Sequence, residues 1–174
     1  PHVLPFATSR SLQQATGNTF PLLPTDSAQG AFLTQYVADS LGLARIAFFY
    51  LDSEHGVGVR EGLVPEAERM GVELLASVPF TYVEDPQVIV DAALLGGRPD
   101  GVVVAGYPAT AGPVMRALWR RLPETPVVGS DGLASNPLAL RRSVGPDRGP
   151  LHLASFWRFE TSKSCSEGFP GWLG

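Results

Sequence analysis

Four short apolar runs set the strongest limit on what this chain can become. Arg45-Ile-Ala-Phe-Phe-Tyr-Leu51 has no polar face, and Val72–Val78, Gly101–Ala105 and Pro126–Gly129 repeat the pattern. A strand that is apolar on both sides must be covered on both sides, as in a parallel sheet flanked by crossover helices. The runs lie roughly 27 residues apart, which leaves room for one such helix in each gap. The expected fold class is α/β, a doubly wound, mostly parallel, Rossmann-like sheet.

The segments between the runs carry helical spacing. Asp26-Ser-Ala-Gln29 reads as a capping box with Asp26 as the cap. Phe32, Leu33, Tyr36, Val37, Ser40 and Leu41 then line one side, and Gly42 stops the helix. Asp85-Pro86 opens another helix whose expected buried stripe is Val88, Ile89, Ala92 and Leu95, closed by Gly96-Gly97. A further helix turns Val114, Met115, Leu118, Trp119 and Leu122 inward and Arg116, Arg120 and Arg121 outward. Pro65 falls inside the pattern between Val57 and Met70, where a missing amide predicts a kink or a break.

The ends follow the alternation less well. Residues 1–24 hold one short strand, a polar loop from Thr8 to Asn18 and a second short apolar run. Residues 25–150 form the main α/β unit, including a weak helix beyond Asn136. Residues 151–174 hold a return strand, Leu151-His-Leu-Ala-Ser155, and a tail without period.

Composition removes several classes. Thirteen basic against seventeen acidic residues give a net charge of −4, with no basic block, so nucleic acid is not an expected partner. The lone cysteine, Cys165, can make neither an internal disulfide nor a cysteine-based metal site and reads as a free thiol. No run of eighteen apolar residues reads as a membrane-spanning helix. His2, His55 and His152 are scattered and show no metal-ligand spacing, so no metal is expected. Gly56-Val-Gly58 follows the first long strand but lacks a third glycine and a following Lys-Ser/Thr pair. No cofactor is therefore expected. No Gly-x-Ser-x-Gly turn exists for serine hydrolysis.

What remains lies at the carboxyl ends of the strands, where open α/β sheets bind ligands. The first long strand runs into Asp52-Ser-Glu-His55, the third into Gly106-Tyr107-Pro108 and the fourth into Ser130-Asp131-Gly132. An imidazole, a phenol and a carboxylate at one edge could hold a small zwitterion or cation. Spacing equally allows Asp52 and Asp131 to cap helices and Tyr107 to pack. An enzyme on such a sheet would need His55 paired with Asp52 or Glu54.

Several of these motifs resemble a known family in order. Ala7-Thr8 within Leu4-Pro-Phe-Ala-Thr-Ser9, Pro24-Thr-Asp26 with Gln29-Gly30, the strand ending in His55-Gly56, Ala105-Gly-Tyr107 and Gly129-Ser-Asp-Gly132 resemble the type I periplasmic binding proteins. The branched-chain amino acid group is the most similar. The resemblance spans about residues 3 to 156 and implies one lobe of a two-lobed trap, joined by crossover strands. Residues 1–24 would then be the end of the first lobe and its crossover, residues 25–150 the second lobe. Most of the first lobe, with any signal or lipid anchor, would lie outside this sequence.

The family's roles follow residue by residue. The Ala7 backbone and Thr8 hydroxyl would hold a ligand carboxylate, Tyr107 would contact the ligand and Asp131 would pair with an α-ammonium. His55 stands where the family often has tyrosine or phenylalanine, which puts branched-chain specificity in doubt. The implied function is a non-catalytic solute-binding component of an ABC-type uptake transporter. The alternative is an amino-acid or amide sensor on the same fold. Implied partners are a small-molecule ligand and a membrane permease, with self-association through surface left open by a missing lobe. The implied location is periplasmic or extracellular, with a lipid anchor on the full-length protein.

Overall fold

The computed structural model describes residues 2–4, 7–14, 18–146 and 148–156. Two parallel strands, β1 (His2–Leu4) and β2 (Thr19–Pro21), pair only with each other. The remaining strands, β3 (Arg45–Leu51), β4 (Glu73–Phe80), β5 (Gly101–Ala105), β6 (Val127–Gly129) and β7 (Leu151–Leu153), form one five-stranded parallel sheet. Its order is β4-β3-β5-β6-β7. The chain steps outward from β3 to β4 and then crosses back to β5, so the order reverses between β3 and β5. The doubly wound reading is borne out.

Alternation along the central strands builds two cores. Ile46 and Phe48 of β3, Val103 and Ala105 of β5 and Val128 of β6 share a cluster with Leu33, Val37, Val59 and Leu63. Those partners come from α2 (Asp26–Gln35), which widens into a π turn over Tyr36–Ser40, and from α3 (Glu54–Met70). Ala47, Phe49, Leu51, Val102, Val104 and Val127 belong to the opposite cluster. It is closed by α4 (Pro86–Leu94), α5 (Pro108–Arg121) and α7 (Pro137–Val144). Phe48 and Phe49 are adjacent and both buried, one in each cluster. Burial of each is worth roughly 1.5–3 kcal/mol, so neither face can be left bare.

Helices α2 and α3 cross at close range because of two glycines. A Cβ on Gly30 would strike the Val59 carbonyl, and one on Gly62 would strike the Ser27 carbonyl. Any side chain at either position would force the helices apart.

Several expectations are corrected. The cap of α2 is Thr25, whose Oγ1 accepts from the Ala28 amide at 3.1 Å, and Asp26 is the first helical residue. In α2, Leu33 and Val37 are buried, but Phe32 and Ser40 are exposed. In α4 the buried residues are Ile89, Val90 and Ala93, while Val88 is 65% and Leu95 89% exposed. Of the kink or break expected at Pro65, the break does not occur, since α3 is continuous from Glu54 to Met70. Pro65 and Glu61, whose carbonyl loses its partner, are both exposed, so the lost hydrogen bond falls on the water side. Arg116 is partly buried and donates to the carbonyls of Ser143 and Val144 at the end of α7. The expected loop from Thr8 to Asn18 contains a short helix, α1 (Arg10–Gln14). The tail after Phe156, with Cys165, lies outside the described residues.

Candidate functional site

Three adjacent strands deliver the site. Beyond β3, Ser53 caps α3 by accepting from the Gly56 amide at 3.3 Å, which sets His55 in the first turn. Beyond β5, Tyr107 is the last residue before α5. Beyond β6, Ser130 precedes the short helix α6 (Asp131–Ala134), and its amide donates to the Val104 carbonyl at 2.9 Å. The site thus sits at the carboxyl ends of the strands, on both sides of the reversal between β3 and β5.

His55, Tyr107 and Asp131 come together as expected. His55 Nε2 lies 3.9 Å from Asp131 Oδ1, and the His55 and Tyr107 ring centroids are 5.7 Å apart. Burial, then the Asp131 and Asp26 carboxylates, push the Tyr107 phenol above its ordinary value, so it stays a hydrogen-bond donor. Thr8, with Ala7 immediately before it, is tied to the cluster through its backbone. The Thr8 carbonyl accepts from the Asp26 amide at 2.9 Å. Nearby, the hydroxyls of Ser9 and Ser11 donate to the Glu54 carboxylate and hold its pKa below the ordinary value. The amino-terminal segment is fastened beside His55 in this way.

Two residues of the site were not foreseen. Asp26 Oδ1 lies 2.8 Å from His55 Nδ1, and Ser130 Oγ lies 3.1 Å from His55 Nε2. A carboxylate can only accept, so Nδ1 carries a proton. The signal for Asp26 was its redundancy as a cap, because Thr25 stands before it. A second signal was the spacing of Gly58 and Gly62, one turn apart, against Asp26 and Gly30, also one turn apart. A Cβ on Gly58 would come within 2.8 Å of Asp26 Cβ. Gly58 makes room for that carboxylate and is not part of a phosphate loop. Gly132 does the same for His55, since its Cβ would lie 3.1 Å from Nε2.

The order Asp26–His55–Ser130 resembles a hydrolytic triad, but its surroundings oppose that chemistry. Ser130 is fully buried, and the next residue is the carboxylate Asp131. Attack by Ser130 would build an oxyanion beside a negative charge, the reverse of an oxyanion hole. Asp52 is exposed and Glu54 is taken by Ser9 and Ser11, so neither is the expected partner of His55. What the site offers is a waiting acceptor: Asp131 Oδ1 is buried and has no hydrogen-bond partner among the described residues. His152 serves structure, with Nδ1 2.9 Å from the Tyr36 hydroxyl. Among the described residues no group of metal-ligating side chains gathers, and no helix is long and apolar enough to cross a membrane.

Residues 2–140 match the family described as periplasmic binding protein. The chain belongs to that family. The fold agrees with solved members at low identity. The leucine binding protein LivK of Thermotoga maritima superposes with a TM-score of 0.83 at 18% identity, covering 98% of this chain and 51% of that one. The branched-chain amino acid transporter substrate binding protein LivJ of Streptococcus pneumoniae, solved with isoleucine, gives 0.76 at 20%, covering 98% and 51%. A curated relative, the chemotactic signal transduction system substrate-binding protein BasB of Halobacterium salinarum, is 34% identical over 115 residues. That match covers 64% of this chain and 27% of the relative. This periplasmic binding protein chain thus spans about half the length of the solved relatives and a smaller share of the curated one.

Proposed function

We propose that this chain supplies one wall of a binding site for an amino acid or similar small zwitterion, in the non-catalytic solute-binding component of an ABC-type uptake system. The observation that carries the reading is the Asp131 oxygen, buried and unpartnered at the strand ends. A buried acceptor without a donor costs about 1–3 kcal/mol, more when charged, and an incoming ammonium removes that cost. Asp131 takes the ligand ammonium, Tyr107 donates to the ligand and His55 lines the side-chain pocket. The Ala7 backbone and Thr8 hydroxyl take the carboxylate. Residues 1–24 belong to the end of the first of two lobes and its crossover, and residues 25–150 to the second. Closure of the lobes excludes water and strengthens both grips. A membrane permease, a periplasmic or extracellular location, a lipid anchor and self-association belong to the same proposal.

A sensory role is the second reading, favoured by the chemotactic description of the Halobacterium relative. Titration calorimetry against single amino acids and small amides tests the binding claim. It is run on this chain and on a two-lobed form, with Asp131→Ala as control. The two-lobed form binds and the variant does not. If neither form binds any zwitterion, the amino-acid reading falls.

A further inference from the structure

We infer that Asp26 is a positioning residue of the ligand site, holding His55 so that the buried Asp131 Oδ1 is left without a protein donor, and so available to a ligand cation, until His55 is protonated. The inference deepens the reading of Asp131 as the ammonium acceptor and rests on it. Its basis is the chain of contacts through the imidazole. Asp26 Oδ1 takes the Nδ1 proton at 2.8 Å, which leaves the Nε2 lone pair facing the Ser130 hydroxyl at 3.1 Å. In that tautomer Ser130 donates to Nε2, and Nε2 has nothing to offer Asp131 Oδ1, 3.9 Å away. The carboxylate oxygen therefore keeps its capacity for a ligand, consistent with its lack of any partner.

Protonation reverses this. With a proton on Nε2 the imidazolium becomes a cation beside Asp131 and competes with a ligand ammonium for the same oxygen. The Ser130 hydroxyl can then only accept from Nε2, so it no longer occupies that nitrogen as a donor. Among the described residues, the charged or titratable groups in contact with His55 come from three other elements. Asp26 comes from α2, Asp131 from α6 and Tyr107 from the start of α5, while Glu54 of its own helix is held away by Ser9 and Ser11. Asp26 is enclosed, with a side chain 5% exposed, and Gly58 keeps the space it occupies. A carboxylate so enclosed has His55 as the partner that justifies its burial.

Two measurements test the inference separately from the reading beneath it. The first uses nitrogen NMR of the unliganded chain to read the His55 tautomer above neutral pH. Wild type shows the proton on Nδ1, and Asp26→Leu loses that preference while Asp26→Asn, which keeps an acceptor, retains most of it. A tautomer unchanged in Asp26→Leu, with the fold intact by circular dichroism, overturns the positioning role. The second measures Kd for the twenty common L-amino acids, singly, at pH 8 and pH 5.5 in the two-lobed form. The best binder weakens about tenfold at the lower pH, and His55→Gln removes most of that change. An equal pH dependence in His55→Gln overturns the competition. If no amino acid binds at either pH, the reading of Asp131 fails, and the NMR result still decides the role of Asp26.

Discussion

Asp131 Oδ1 and His55 Nε2 stand 3.9 Å apart, too far to share a hydrogen bond. That gap leaves a buried carboxylate oxygen without a donor at the mouth of the sheet. Replacement of Asp131 by Asn should leave the unfolding free energy unchanged or raise it by up to about 1–3 kcal/mol, because it removes the charge from a buried acceptor that has no donor. Ligand affinity in the two-lobed form should fall by about 1.5–3 kcal/mol, the worth of a charge-assisted hydrogen bond. Urea unfolding and calorimetry on the same preparation check both. A large loss of stability would mean the carboxylate serves the fold.

The crossing of α2 and α3 predicts a sharp response to one methyl group. Gly62→Ala puts a carbon into the Ser27 carbonyl, which is backbone and cannot rotate away. The expected cost is about 1–3 kcal/mol, the range for overpacking. It reads as a lower urea midpoint with helical content retained.

Trp119 predicts a second stability effect on the opposite face. Its indole Nε1 donates to the Thr125 carbonyl at 2.9 Å, and both residues are buried. Trp119→Phe keeps most of the apolar volume but leaves that carbonyl short of a donor. A loss of about 1–3 kcal/mol is expected, the cost of stranding a buried polar group. Chemical unfolding compared with Trp119→Leu separates the hydrogen bond from the ring volume.

Glu66 predicts a pH effect on the α2–α3 contact. Hydrogen bonds from Arg69 and then Gln35 hold its carboxyl down to about 2, from an ordinary 4.5. A depressed carboxylate adds stability above its unfolded value and loses it as pH falls through the folded one, so the window lies between 4.5 and about 2. The urea midpoint of wild type should fall across that window more than that of Glu66→Gln. The pair is at the surface, so added salt should narrow the difference.

Local pattern decided the elements and their order. Continuous apolar runs at β3 and β5 require cover on both faces whatever surrounds them, and so announce a doubly wound sheet. The glycines that end helices also act locally: Gly42, Gly71 and Gly97 all have positive φ, which other residues adopt at a cost. The strand ends carrying His55, Tyr107 and Asp131 were legible for the same reason, since a parallel sheet brings its carboxyl ends to one edge.

Only the tertiary structure decided rotation and partnership. Helix α4 is apolar around most of its circumference, from Val88 to Leu95, so two buried stripes satisfy the helical period. Packing against β4 and α5 selects Ile89, Val90 and Ala93. Asp26 and His55 are 29 residues apart in the chain, and either could satisfy itself locally, as a cap or a solvated ring. They meet because α2 and α3 cross on glycines, whose one-turn spacing marks a helix able to approach a neighbour closely but does not say which neighbour it meets.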